Sequence, residues 1–158
     1  MKISNEHDTF LQRHAFVLSD DPGRLDMEWV LDRLMEQYWL EGEPRARIRL
    51  SIEGAHPYGV YAPDGSPAGF LSILSDGVYN ARLSNLFLLP DYRGRGLGRW
   101  IMSVLLHSSR FSKVRNWQLQ TDDAHALYKR FGFEVFEGNG EFMTLTRTFG
   151  AHRNEDTL

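Results

Sequence analysis

The segment Arg93-Gly94-Arg95-Gly96-Leu97-Gly98 gathers the residue types that hold a diphosphate. It follows the apolar run Leu86, Phe87, Leu88, Leu89, Pro90 and precedes apolar residues at helical spacing from Leu97. Strand, glycine loop and helix start in that order aim unpaired backbone N–H groups and the positive end of a helix dipole at one point. Glycines in the loop let the backbone approach a ligand with no Cβ in the way. Arg93, Arg95 and Arg99 can add charge-assisted hydrogen bonds to phosphate oxygens. Glycine and arginine also build ordinary turns and RNA-contacting loops, so the hexapeptide alone leaves the ligand open.

A second motif narrows the choice. Residues 126–134, ALYKRFGFE, read as a short helix closed by Gly132 and reopening as an apolar strand. RxxGxG followed by a strand, a short helix and LYxxxGF resembles the GCN5-related N-acetyltransferases (GNAT), which move an acetyl group from acetyl-CoA to an amine. The resemblance covers about residues 57–148, and QTDDAHALYKRFGF at 120–133 is similar to the TxDAHxLYxxFGF of a bacterial subgroup. It implies that the backbone around Phe87 and Leu88 lines the pantetheine arm. It also implies that Arg93, Gly96 and Gly98, with Gly94, Arg95, Leu97 and Arg99 around them, hold the pyrophosphate, and that Tyr128 lies beside the thioester sulfur.

On that reading acetyl-CoA is the co-substrate and a primary amine attacks it directly in a ternary complex. A phenol near the sulfur can donate a hydrogen bond or a proton to the departing thiolate; outside the motif, a tyrosine in a short helix simply packs on the sheet. The chain contains no cysteine, which excludes disulfides and a two-step transfer through a cysteine acyl-enzyme. The general base is open. Many members of the family carry an acid on the strand before the loop, where this chain has Ser84 and Asn85, leaving Asp122, Asp123, His125 or water. One aspartate is expected to serve only as the N-cap of the short helix. Thr121 stands where relatives often have an asparagine near CoA, and Lys129 and Arg130 read as a solvated face. Tyr38, Trp39, Tyr58 and Tyr79 are candidates for an acceptor pocket.

Composition bounds the partners. The 158 residues, 42% of them hydrophobic and 13% aromatic, suit a single domain over 1–150, with a polar tail expected to be disordered at 151–158. A formal net charge of −3 supplies no global basic field, which counts against nucleic acid as a partner. The histidines at 7, 14, 56, 107, 125 and 152 show no metal-binding spacing, so no metal is expected. The N-terminus has no continuous apolar stretch and no run reaches membrane-spanning length, so a cytoplasmic monomer or homodimer with no membrane contact is expected. Two other classes fit parts of the sequence: a non-catalytic acyl-CoA-binding or regulatory domain, and an RNA-binding module using the Arg and Gly loop.

The elements that must position these residues follow from periodicity. Strands are expected at 15–19, 58–62, 67–74, 81–89, 116–121, 133–137 and 141–148. Helices are expected from Asp26 toward Gly42, from Pro44 to Gly54, from Leu97 to about His107 and at 124–131. Periodicity gives α/β or α+β. The resemblance implies an α+β acyl-CoA N-acyltransferase fold, a mixed and mostly antiparallel sheet splayed between its fourth and fifth strands with helices on both faces.

Overall fold

The computed structural model describes residues 15–138 and 140–147, so the tail at 151–158 lies outside the described residues. The chain runs β1 (Val17–Ser19), α1 (Met27–Met35), α2 (Arg45–Glu53), β2 (His56–Tyr61), β3 (Pro67–Ser75), β4 (Asn80–Leu88), α3 (Leu97–Leu106), β5 (Asn116–Gln118) and α4 (His125–Lys129). The strands form one sheet in the order β1-β2-β3-β4-β5. Pairing is antiparallel up to β4 and parallel between β4 and β5, which makes this a mixed α+β fold.

Side-chain alternation along the strands feeds two cores, one on each face. Phe70 and Phe87 point toward α1 and α2, where they meet Val30, Leu31, Leu34, Ile48 and Ile52. Leu71, Ile73, Ala81 and Leu83 point the other way, against Leu97, Ile101, Val104, Leu105 and Tyr128 of α3 and α4. Asp26 starts α1 as expected, its carboxylate accepting from Trp29 N–H at 3.0 Å. Arg45 of α2 reaches back to Glu28 and Asp32 of α1, both at 2.7 Å, and Arg49 also pairs with Glu28.

Three sequence expectations need correction. The helix from Asp26 stops at Met35 because Gln37 turns extended, so Tyr38 lies on a separate 3-10 turn, Tyr38–Leu40. Strand β5 pairs over three residues only, not to Thr121. The strands expected at 133–137 and 141–148 do not form among the described residues. There Phe136, Phe142 and Met143 are exposed, Met143 at 92%, whereas Phe131 and Phe133 still pack on the core. Alternating side chains make a strand only where an edge receives their backbone N–H and C=O groups. No helix among the described residues is long and apolar enough to cross a membrane.

Candidate functional site

The site begins with an irregularity in β4. Phe70 pairs with Phe87 and Ser72 with Ser84, so Leu71 alone faces Asn85 and Leu86. Two residues opposite one is a β-bulge, which bends a strand and re-aims its backbone. Asn85 takes a positive φ of 57°, a conformation that asparagine tolerates better than most side chains. The register beyond the bulge is fixed by Leu89 N–H donating to Ala68 O at 2.8 Å. Alternation then aims the N–H and C=O of Leu88 away from β3, toward the β5 side. Pairing between β4 and β5 is confined to residues 80–82 with 116–118, so this part of β4 borders the gap between the two strands. An extended amide-bearing chain can add to such an edge.

After β4, a 3-10 turn Pro90–Tyr92 leads into the glycine loop. Gly96 occupies the N-cap of α3 at φ 79°, ψ 14°, a left-handed geometry that costs an ordinary side chain about 1–2 kcal/mol. No side chain caps α3, so the N–H groups of its first turn point off the end of a ten-residue helix along its dipole. Leu97 is buried and anchors that turn in the core, whereas Gly94, Arg95, Gly96 and Arg99 are exposed. This geometry can receive a diphosphate.

The arginines are arranged less uniformly than the sequence suggests. Arg93 Nε donates to Leu88 O at 2.9 Å, turning back onto the end of β4. The Arg95 guanidinium stands 5.6 Å from the centroid of the Tyr92 ring. Phe87, as expected of a central strand, is core: its ring lies 6.3 Å from that of Phe70 and 5.9 Å from that of Trp29.

The chain is similar to known proteins. A family model described as an acetyltransferase (GNAT) domain matches residues 54–135, just over half of the chain. The chain belongs to the GNAT acetyltransferase family. A GNAT-family acetyltransferase structure from Xanthomonas campestris pv. campestris superposes with a TM-score of 0.75 at 28% identity, covering 84% of this chain and 93% of that one. An acetyltransferase structure from Clostridium acetobutylicum, described with acetyl-CoA, shares the fold at a TM-score of 0.59 and 14% identity, covering 83% and 94% of the two chains. Among curated proteins, an uncharacterised N-acetyltransferase of Mycobacterium tuberculosis is 31% identical over 99 residues, which is 59% of this chain and 58% of that protein.

Within this GNAT chain, Tyr128 sits on α4 with 8% of its surface exposed, its ring edge-on to Phe133 at 5.9 Å. Burial, and then the negative charge of Asp123, push its phenol above the ordinary tyrosine value. The group therefore keeps its proton at neutral pH and stays a donor. The start of α4 is held by Thr121, whose hydroxyl accepts Ala124 N–H at 3.0 Å. Neither aspartate takes the capping role expected from the sequence. Asp122 instead accepts a hydrogen bond from the Tyr38 hydroxyl at 2.9 Å. Asp122, Asp123, His125, Lys129 and Arg130 are all exposed.

The four aromatic candidates separate. Tyr58 is buried in the core on the α3 side and lines no open surface. Tyr38, Trp39 and Tyr79 are exposed, and the Tyr38 and Trp39 rings meet edge-on at 5.2 Å. Sequence reasoning passed over two features of the site. The bulge had one signal, an asparagine inside an apolar strand; the pairing of Tyr38 with Asp122, 84 positions away, had none.

Proposed function

We propose that this GNAT protein is an acetyl-CoA-dependent N-acetyltransferase that passes the acetyl group to a primary amine by direct attack. The observation that carries the reading is the uncapped start of α3, entered through Gly96 in a left-handed conformation, beside the strand edge that β5 leaves open. The loop and helix N-terminus suit the diphosphate, with Arg95 and Arg93 adding positive charge. The Leu88 N–H suits an amide of the pantetheine arm. The chain has no cysteine to carry the acyl group, so the amine nitrogen attacks the thioester carbonyl itself.

The carbon–sulfur bond then breaks with its electron pair on sulfur, and Tyr128, protonated and largely shielded from water, is the donor for that thiolate. The Tyr38 hydroxyl already engages Asp122, which leaves Asp123 and His125, both exposed, or a water to take the proton that leaves nitrogen. The acetyl-CoA named with the Clostridium acetobutylicum structure supports the donor.

Titration calorimetry with acetyl-CoA over a series of ionic strengths tests the reading. Arg93→Ala and Arg95→Ala are each expected to weaken binding by roughly fivefold at low salt, and less at high salt, where exposed charges are screened. Wild-type protein that takes up no acetyl-CoA under any of these conditions would overturn the assignment.

A further inference from the structure

Tyr38 and Asp122 belong to different layers of the molecule. Tyr38 opens the turn after α1, which packs with α2 on one face of the sheet. Asp122 precedes α4, which packs with α3 on the other face. The sheet between them ends at β5, whose ladder stops at Gln118. The hydrogen bond from Tyr38 to Asp122, 2.9 Å long, therefore passes around the end of the sheet. It ties the two layers together on the side of the gap where β4 and β5 have parted.

We propose that this bond closes one side of the gap, and that Tyr38 is a positioning residue acting through Asp122 on the segment that carries Tyr128. The inference rests on the acetyl transfer proposed above. The segment is short, and among the described residues few side-chain hydrogen bonds reach it beyond the packing of Leu127 and Tyr128 on the core. Thr121 Oγ1 holds Ala124 N–H, Arg82 of β4 donates to Gln120 Oε1 at 2.7 Å, and α4 itself has five residues. Asp122 lies between Gln120 and Ala124, so a pull on its carboxylate is transmitted to the first turn of α4 and to Tyr128. The edge-on contact with Trp39 restricts the Tyr38 ring. The carboxylate of Asp122, followed by burial and the charges of Asp122 and Asp123, holds the Tyr38 phenol above its ordinary value, so it remains the donor at neutral pH. Tyr38 is 64% exposed and Asp122 is exposed as well, so the bond adds little to the core. Its effect belongs to the geometry of the site.

The test compares Tyr38→Phe, Asp122→Ala, Asp122→Asn and the double variant Tyr38→Phe/Asp122→Ala in the full chain. An amine found by screening for thiol release from acetyl-CoA serves as acceptor. Tyr38→Phe and Asp122→Ala are each expected to lower kcat/KM for the amine about tenfold, in line with a lost hydrogen bond to a charged group, with acetyl-CoA affinity and urea midpoint unchanged. Asp122→Asn keeps an oxygen that can accept from Tyr38 and should recover most of that loss. The double variant should be no worse than either single, because both remove one bond. Wild-type kinetics in Tyr38→Phe, additive losses, or Asp122→Asn as damaged as Asp122→Ala would each overturn the proposal. Amide hydrogen exchange over residues 121–128 judges it without any acceptor: faster exchange in Tyr38→Phe supports the bond, and unchanged exchange rejects it. Failure of the wild type to acetylate any amine, with exchange still accelerated in Tyr38→Phe, counts against the proposed function and leaves the bond standing.

Discussion

Tyr128 combines two properties that usually oppose each other, a polar tip and near-complete burial. Desolvation and the charge of Asp123 both disfavour the phenolate, so the group enters the reaction as a neutral acid and gains most when negative charge appears on a neighbour. If that neighbour is the CoA thiolate, Tyr128→Phe should lower kcat by roughly 10² to 10⁴-fold, the range for a positioned acid, with acetyl-CoA affinity nearly unchanged. The ring contact with Phe133 survives the substitution, so the fold should hold. The defect should shrink with an acyl donor whose thiol is more acidic, because a better leaving group needs less help. Single-turnover measurements check this, and a wild-type rate with acetyl-CoA when chemistry is limiting would reduce Tyr128 to a packing residue.

At the scale of the element, the strand, loop and helix from β4 to α3 distinguish two glycines that look alike in the sequence. Gly96 is left-handed, and a valine there is strained and thrusts bulk at the helix start. Gly98 lies inside α3, and a Cβ there would meet the tip of Leu127 at 3.4 Å, a contact a flexible side chain can relieve. Gly98→Ala is accordingly expected to stabilise the protein by about 0.5–1 kcal/mol, the usual gain over glycine in a helix, and to lower acetyl-CoA affinity far less than a change at Gly96. Gly96→Val should lose that affinity. Urea denaturation and calorimetry on the two variants check both statements, and equal acetyl-CoA affinities would remove the loop from the binding site.

Across the whole molecule, a half-buried network joins the end of β1, the start of β2 and the turn after α3. Arg110 donates to Asp20 at 2.8 Å and approaches His56 Nδ1 at 3.0 Å. A guanidinium can only donate, so Nδ1 is the acceptor and the neutral ring carries its proton on Nε2. Burial, then the positive charge of Arg110, hold His56 below its ordinary value of 6.5, and the Asp20 charge offsets part of this. The unfolded chain thus binds the proton more readily than the native one. This contribution to stability is complete above pH 6.5 and is lost as pH falls through the depressed native value. Between pH 7 and 5 the urea midpoint of wild type should fall more steeply than that of His56→Gln; parallel curves would show that His56 does not titrate on unfolding.

The sequence by itself determined what depends on neighbours along the chain. The Asp26 cap, the end of α2 at Gly54 and the glycine-entered start of α3 are local chemistry, and the paired motifs around Arg93 and Tyr128 carried the family. What failed depended on partners far away. Residues 133–137 and 141–148 alternate like strands in the sequence, but strands exist only when an edge accepts their backbone, and among the described residues none does. The periodicity that drew Tyr38 into α1 could not register the extended Gln37 that releases it to meet Asp122. Whether Tyr58 faced a pocket or the core depended on which layer its strand face met, and it met α3. Periodicity states which side chains share a face; only the folded sheet decides what that face meets.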